Sequence, residues 1–127
     1  MLQGSKGAAQ VPAPTRSPPT THDGIVLAYD KDYWQAAEAL IGYLDAYEHI
    51  GLTKYLKAFY LTWDFVRRCM INPLTGEWHQ LVSREGEPLI SDFNIWRSGF
   101  HSCRAMMECI DRLERMARRK EQQKSEA

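Results

Sequence analysis

The amino-acid sequence predicts an all-α fold in which one short β-hairpin precedes the last helix. Three observations support this prediction. Apolar residues recur at three- and four-residue steps in three long segments, which is typical of amphipathic helices. Glycine ends the first of these segments, and an Asn-Pro pair ends the second. Between the second and third segments, an alternating stretch leads into a turn-forming sequence, as in a β-hairpin.

The composition is that of one soluble domain. The chain has 127 residues, with 16 basic and 16 acidic side chains. The resulting net charge near zero gives no general attraction to nucleic acid or to an anionic membrane. No apolar run approaches the roughly 20 residues that span a bilayer, and the N-terminus lacks the apolar core of a signal peptide. The three cysteines form no CxxC pair, so we expect a reducing, cytoplasmic environment.

Residues 1–24 are predicted to form a disordered, proline-rich tail. Within the first 22 residues, four prolines alternate with small and polar side chains, and the only charges are Lys6 and Arg16. Such a segment buries too little apolar surface to offset the entropy lost on ordering. Docking through a Pro-x-x-Pro pattern is the alternative. The domain is predicted to span 25–119, followed by a polar C-terminal tail over 120–127.

The first helix is predicted from Lys31 to Ile50. Asp32 is its predicted N-cap, and Gly51 is its predicted stop, since glycine readily adopts the left-handed conformation that ends many helices. Polar side chains are few, which favours burial over much of the surface. The residues on or near one face are Trp34, Ala37, Ile41, Leu44 and Glu48.

A second helix is predicted from Thr53, a good cap residue, to about Met70. Its apolar residues recur at three- and four-residue steps, and Asn72-Pro73 ends it. Because only a few residues connect the first two helices, we expect an antiparallel helical hairpin.

A short β-hairpin is predicted next. Residues 74–82 alternate in polarity, and the run Ser83-Arg84-Glu85-Gly86 indicates a turn. The hairpin is expected to end near Ile90. Trp78 is expected to pack it onto the helices, and His79 is expected to be structural or exposed.

The last helix is predicted from near Ile95 to about Arg119. Its basic end suits the negative end of the helix dipole. Nucleic-acid binding by this end is the alternative, but no aromatic or Gly-rich recognition pattern accompanies it. The apolar residues at helical spacing are Trp96, Phe100, Met107, Ile110 and Leu113.

Three segments carry a family resemblance. Residues 31–40 contain a Trp-x-x-x-Glu pattern, Gly76-Glu77-Trp78 lies in the predicted hairpin, and residues 96–104 contain an aromatic-His-x-x-Arg pattern. In this order they resemble the N-acylglucosamine 2-epimerase family, which includes cellobiose 2-epimerase and aldose–ketose isomerases. The resemblance covers about residues 25–115.

The resemblance implies a fold. Members of that family form an (α/α)6 barrel of twelve helices, a six-hairpin glycosidase-like architecture, and this chain resembles only the C-terminal helices. A homo-oligomer or the missing N-terminal barrel segment would complete the barrel. The alternative is a non-catalytic fragment or interaction module that lacks the rest of the active site.

The pair Trp34 and Glu38 is a candidate sugar-binding site. The two residues are four apart and share one helix face. A ring can cover the apolar face of a pyranose, and a carboxylate can accept hydrogen bonds from hydroxyls. A core tryptophan beside a solvated glutamate is the alternative, and the resemblance favours the sugar site. It also implies substrate contacts by Trp96 and Arg104. Trp96 could instead anchor the last helix, and Arg104 could orient His101, pair with Glu38 or form a surface salt bridge.

His101 is the predicted catalytic residue. Removing and returning a weakly acidic proton next to a carbonyl requires a group suited to both steps near neutral pH, and histidine is such a group. A structural histidine is the alternative. A His101–Cys103 dyad is not expected, because residues two apart on a helix point about 200° apart.

The resemblance implies a reaction as well as a site. It indicates a carbohydrate 2-epimerase or aldose–ketose isomerase that acts at C2 through an enediolate. The substrate would be a mono- or disaccharide. We expect no metal or other cofactor and no nucleic-acid or membrane partner.

Overall fold

A computed structural model describes residues 23, 30–89 and 99–127 of the chain. Within these ranges the structure is mostly helical with a small antiparallel sheet. The predicted N-terminal tail lies outside the described residues except for Asp23, and Trp96 also lies outside them. The elements in chain order are β1 (Lys31–Asp32), α1 (Tyr33–Ile50), α2 (Thr53–Phe65), a π-helical turn (Val66–Met70), β2 (Leu81–Val82), β3 (Pro88–Leu89) and α3 (Phe100–Ser125).

Helices α1 and α2 form the predicted helical hairpin. Gly51 ends α1 with a φ of 76°, and its amide donates a hydrogen bond to the Tyr47 carbonyl at 2.9 Å. Only Gly51 and Leu52 separate the two helices, which pack against each other. The N-cap of α2 is Leu52 and not the predicted Thr53, which is the first helical residue. Asp32 is the N-cap of α1 as predicted, although its side chain makes no capping hydrogen bond.

The small sheet has the strand order β1-β2-β3, and both pairings are antiparallel. Strands β2 and β3 form the predicted hairpin, with Val82 opposite Pro88. Strand β1 was not predicted, because the helical pattern continues backwards through it. Lys31 pairs with Val82 there, so the helical pattern that starts at Lys31 becomes helix only from Tyr33, directly after the predicted N-cap.

Residues 72–77 form a tight loop, and its last four residues, 74–77, lie where the sequence predicts the first part of a strand. The Asn72 side chain accepts a hydrogen bond from the Leu74 amide at 2.9 Å, and the Asn72 carbonyl accepts one from Gly76 at 2.8 Å. These bonds curl the backbone before Ile71 pairs with Trp78 in an isolated bridge. The predicted strand is therefore wrong over 74–77, because a local side-chain bond replaces ladder pairing. Trp78 packs against the helical core as predicted.

The core lies where α1 packs against α2 and α3, and side chains of the π-helical turn join it. Tyr60 of α2 lies outside this core and is 57% exposed. The largest fully buried side chains are Leu40, Leu44, Val66, Met70 and Val82.

Helices α1 and α3 run parallel. Three interhelical ion pairs show this, because the residue numbers of the partners rise together and stay 66 to 67 apart. In an antiparallel pair, one number would fall as the other rises. The N-terminal ends of both helices therefore lie at the same end of the structure. The pairs are Glu38–Arg104, Asp45–Arg112 and Glu48–Arg115.

Of the predicted apolar residues of α3 that the structure describes, Leu113 packs against the core and three others do not. Ala105 and Cys109 are buried. Phe100, Met107 and Ile110, predicted as apolar contacts, are 61%, 71% and 57% exposed. The prediction fails for these three because α3 carries apolar side chains on more than one face.

Helix α3 also extends beyond its predicted end. It continues past Arg119 to Ser125, so most of the predicted polar C-terminal tail is an exposed helical extension. None of the helices in the described ranges is long and apolar enough to cross a membrane.

Candidate functional site

The carboxylate of Glu38 joins the N-terminal turns of α1 and α3. Its Oε1 lies 3.0 Å from Nδ1 of His101, and its Oε2 accepts a hydrogen bond from Arg104. These three side chains are 35–37% exposed. Each of these side chains is therefore partly accessible to solvent and partly covered by the protein. The parallel course of the two helices creates this contact between residues 63 and 66 positions apart.

The ionisation of Glu38 determines which nitrogen of His101 carries the hydrogen. Partial burial opposes ionisation, but hydrogen bonds from Arg104 and His101 outweigh it and lower the pKa of Glu38. An ionised carboxylate can only accept hydrogen bonds, so Nδ1 of His101 must donate. In the neutral ring, Nε2 then keeps its lone pair and can act as a base.

Aromatic rings surround the His101 imidazole. The ring centroid of Trp34 lies 6.1 Å away with the planes tilted by 45°, and Tyr33 lies edge-on at 6.1 Å. Phe100 lies edge-on at 5.3 Å, and the guanidinium of Arg104 lies 5.9 Å from the Phe100 ring. These contacts restrict the imidazole orientation and place an aromatic face beside it.

A depression of about 390 Å³ borders the site along α1. Trp34 and Glu38 both line it, so the structure brings together the two residues predicted to bind sugar. Its remaining lining is mostly small or aromatic, with Gly42, Tyr43 and Tyr55 among its members. An aromatic wall beside a carboxylate suits a ligand with both apolar faces and hydroxyl groups.

Three other residues singled out in the sequence have different outcomes. Arg104 pairs with Glu38, one of the predicted alternatives. His79 is half-buried, and its amide bonds the Met70 carbonyl at 2.7 Å. Trp96 lies outside the described residues. Sequence reasoning did not select Tyr33; its position directly before Trp34 was the available signal.

Comparisons with known proteins identify relatives of this chain. The sequence matches no family model. It is 31% identical to cellobiose 2-epimerase of Dictyoglomus turgidum over 90 residues, which are 69% of this chain and 23% of that protein. It is 30% identical to cellobiose 2-epimerase of Ruminococcus albus over 83 residues, 63% of this chain and 21% of that protein.

Solved structures of sugar epimerases and of an isomerase are also similar to this chain. Cellobiose 2-epimerase from Spirochaeta thermophila aligns with a TM-score of 0.70 and 29% identity over 77% of this chain and 25% of its own. The enzyme of that name from Bacillus thermoamylovorans aligns with a TM-score of 0.61 and 34% identity over 66% of this chain and 22% of its own. A D-mannose isomerase shares the fold, with a TM-score of 0.65 and 22% identity over 72% of this chain and 24% of its own.

The described fold is therefore that of a segment found in sugar epimerases and isomerases. The resemblance to the N-acylglucosamine 2-epimerase family is confirmed, and the chain is a relative of the cellobiose 2-epimerases. It spans about a quarter of the length of the relatives it matches.

Proposed function

We propose that this chain forms part of the active site of a carbohydrate 2-epimerase or aldose–ketose isomerase. One observation carries the proposal: Glu38 holds Nδ1 of His101 at 3.0 Å, so Nε2 is the ring nitrogen left to act as a base, and the ring centroids of His101 and Trp34 lie 6.1 Å apart. The relatives, by their names cellobiose 2-epimerases and a mannose isomerase, support it. Since the chain spans about a quarter of their length, the complete activity and its substrate belong to the proposal.

In the proposed reaction, Nε2 of His101 takes the proton from C2 of an open-chain aldose. The electron pair of the broken C–H bond forms a C1–C2 double bond, and the carbonyl oxygen on C1 gains the negative charge. Return of a proton to the opposite face of C2 gives the epimer. Return to C1, with the O2 hydroxyl proton moving to O1, gives the ketose. The substrate carbonyl accepts the electron pair, so the step needs no metal or nicotinamide.

The neighbouring side chains have separate roles in this proposal. Glu38 stabilises the positive charge that His101 gains when it takes the proton, since the two atoms in contact are 3.0 Å apart. Arg104 holds the second carboxylate oxygen and keeps Glu38 ionised. Trp34 covers the apolar face of the sugar ring, and for Trp96, which lies outside the described residues, the resemblance alone implies a substrate contact. The second acid/base group, which serves the other face of C2, would come from another part of the barrel.

The helix directions support a barrel architecture. In chain order, α2 lies between the parallel helices α1 and α3. It follows α1 after a connection of two residues and packs against it. Alternation of parallel inner helices with oppositely directed outer helices is the pattern of an (α/α)6 barrel. We propose that 25–119 is a segment of such a barrel.

Proton exchange tests the function. The chain is incubated in D2O with mannose, glucose, N-acetylmannosamine or cellobiose, and NMR follows deuterium at C2. We expect wash-in for at least one sugar and its loss in His101→Gln. Folded protein that exchanges no sugar would refute catalysis by this chain.

A non-catalytic segment is the second candidate function. Phe100, Met107 and Ile110 on α3 are each more than half exposed, which favours a surface that contacts another polypeptide. Sedimentation together with the exchange experiment separates the two candidates. Partner-dependent folding without exchange under any condition would favour the second.

A further inference from the structure

The deepest interhelical ion pair lies far from the candidate site. Glu48 stands in the last turn of α1, and its side chain is only 5% exposed. Arg115 on α3 donates from Nε at 3.2 Å and from Nη2 at 2.9 Å, so both carboxylate oxygens are held. Arg119 adds a contact at 3.4 Å. A buried carboxylate is thus clamped by two arginines of the neighbouring helix.

The position of Glu48 makes this clamp necessary. A carboxylate in the last turn faces the negative end of the helix dipole, which disfavours it. Burial disfavours its charge as well. The hydrogen bonds from Arg115 overcome both effects and keep the pKa of Glu48 below its usual value. Any displacement of α3 that separates the pair leaves a buried charge without its partner, which is strongly unfavourable.

The other contacts between α1 and α3 fix the position of α3 along α1 less strictly than the Glu48–Arg115 pair does. The buried residues of α3 are the small Ala105 and Cys109, whereas the larger Met106, Leu113 and Met116 pack against the core only partly buried; a slide of one turn moves the helix by about 5.4 Å. The pairs at Glu38 are more than a third exposed, and exposed ion pairs are weak in water. Asp45, in the middle pair, is 51% exposed.

We infer that Glu48 is a positioning residue for His101. Its two-oxygen bond to Arg115 determines the height of α3 along α1, and this places Nδ1 of His101 opposite Glu38. Glu48 lies ten positions after Glu38, about 15 Å along the helix, so the clamp acts on the site through the rigid helices. The consequence for catalysis rests on the proposed function, whereas the effect on His101 geometry does not.

NMR of the full chain without substrate tests this inference. The readouts are the ¹⁵N shifts of the His101 ring and the cross-relaxation between the rings of His101 and Trp34. We expect Glu48→Gln to weaken this cross-relaxation at least twofold and to shift Nδ1 of His101. Arg115→Gln is a second variant, expected to act in the same direction. Asp64→Asn is the matched control, because Asp64 also pairs with two arginines, but within its own segment of the chain.

The outcomes separate positioning from stability. A merely stabilising Glu48 would lower the unfolding midpoint and leave the His101 signals of folded molecules unchanged, which would overturn the inference. Loss of helical structure in both Glu48→Gln and Arg115→Gln would also overturn it, by assigning the pair to stability. Because no sugar is present, absence of catalysis in the exchange experiment would leave this result intact.

Discussion

Glu38→Gln is expected to move the hydrogen of the His101 ring from one nitrogen to the other. Arg104 can only donate hydrogen bonds, so it takes the carbonyl oxygen of the new amide in place of Oε2. The amide nitrogen then faces Nδ1 of His101, where the wild-type Oε1 lies at 3.0 Å. Because that nitrogen donates, Nδ1 must accept, and the hydrogen moves to Nε2. The proposed base is thereby blocked.

The magnitude follows from the role of the blocked atom. General base catalysis contributes typically about 10²–10⁴-fold, or roughly 3–5 kcal/mol of transition-state stabilisation at 1.36 kcal/mol per tenfold. Exchange at C2 is expected to fall by that factor. The partners are more than a third exposed, so the loss of folding stability is only about 0–1 kcal/mol.

Nitrogen chemical shifts of the His101 ring provide the assay, at a pH where the ring is neutral. The wild type should carry its hydrogen on Nδ1, and Glu38→Gln should carry it on Nε2. Asp45→Asn is the control, because Asp45 bonds Arg112 on the same pair of helices but does not reach the ring. A Glu38→Gln protein that keeps the Nδ1 hydrogen, or that exchanges C2 protons at the wild-type rate, would refute this reasoning.

Three further predictions concern stability and reactivity. Leu44 is fully buried, so Leu44→Ala should lower the free energy of unfolding by about 2–5 kcal/mol in urea titrations; a loss below 1 kcal/mol would contradict the packing. Arg115 holds the native pKa of Glu48 below its unfolded value, about 4.3. Between these two pKa values the unfolded state therefore binds more protons than the native state. The stability contributed by the Glu48–Arg115 pair is complete above about pH 4.3 and is lost as the pH falls through the native pKa of Glu48. Urea titrations should show a flatter acid limb in Glu48→Gln, and an identical limb would contradict this. Burial raises the pKa of Cys109 to about 11, so iodoacetamide at pH 8 should alkylate the exposed Cys103 and spare Cys109; equal alkylation in mass spectra would be the contrary result.

The sequence predicted α1 and α2 well because their boundaries have local causes. Gly51 ends α1 through its own backbone conformation. The start of α1 is less local, because Lys31 joins the sheet by pairing with Val82, about fifty residues further on. A helical pattern cannot reveal that competition, since strand pairing depends on a distant segment.

The buried face of α3 could not be read from its apolar pattern. Phe100, Met107 and Ile110 have the expected spacing but are exposed. The small residues Ala105 and Cys109 are the ones that α1 covers. A helix with apolar side chains on two faces gives a pattern that fits either face, and only the tertiary contacts select one.

The site was predictable in its parts, with the Glu38–Arg104 pair as one alternative, but the contact of His101 with the same carboxylate was not predicted. The spacing from Trp34 to Glu38 and from His101 to Arg104 indicated two local pairs. Their union through one carboxylate depends on the parallel packing of α1 and α3.

The sequence did contain a signal for that packing. Acidic residues of α1 are spaced by 7 and 3 positions and basic residues of α3 by 8 and 3, and pairing these nearly equal intervals gives the observed parallel register. Sequence reasoning did not use this correspondence, and so Glu48 was treated only as a member of a helix face. The matching pairs are Glu38–Arg104, Asp45–Arg112 and Glu48–Arg115.

Deuterium wash-in at sugar C2, compared between His101→Gln and His49→Gln, tests the central claim most directly. His49 is the matched control because its side chain is 73% exposed and pairs with Asp45, away from the His101 ring. We predict that wild type and His49→Gln introduce deuterium at C2 at equal rates and that His101→Gln introduces none. Equal wash-in by His101→Gln and wild type would contradict the assignment of His101 as the residue that moves the C2 proton.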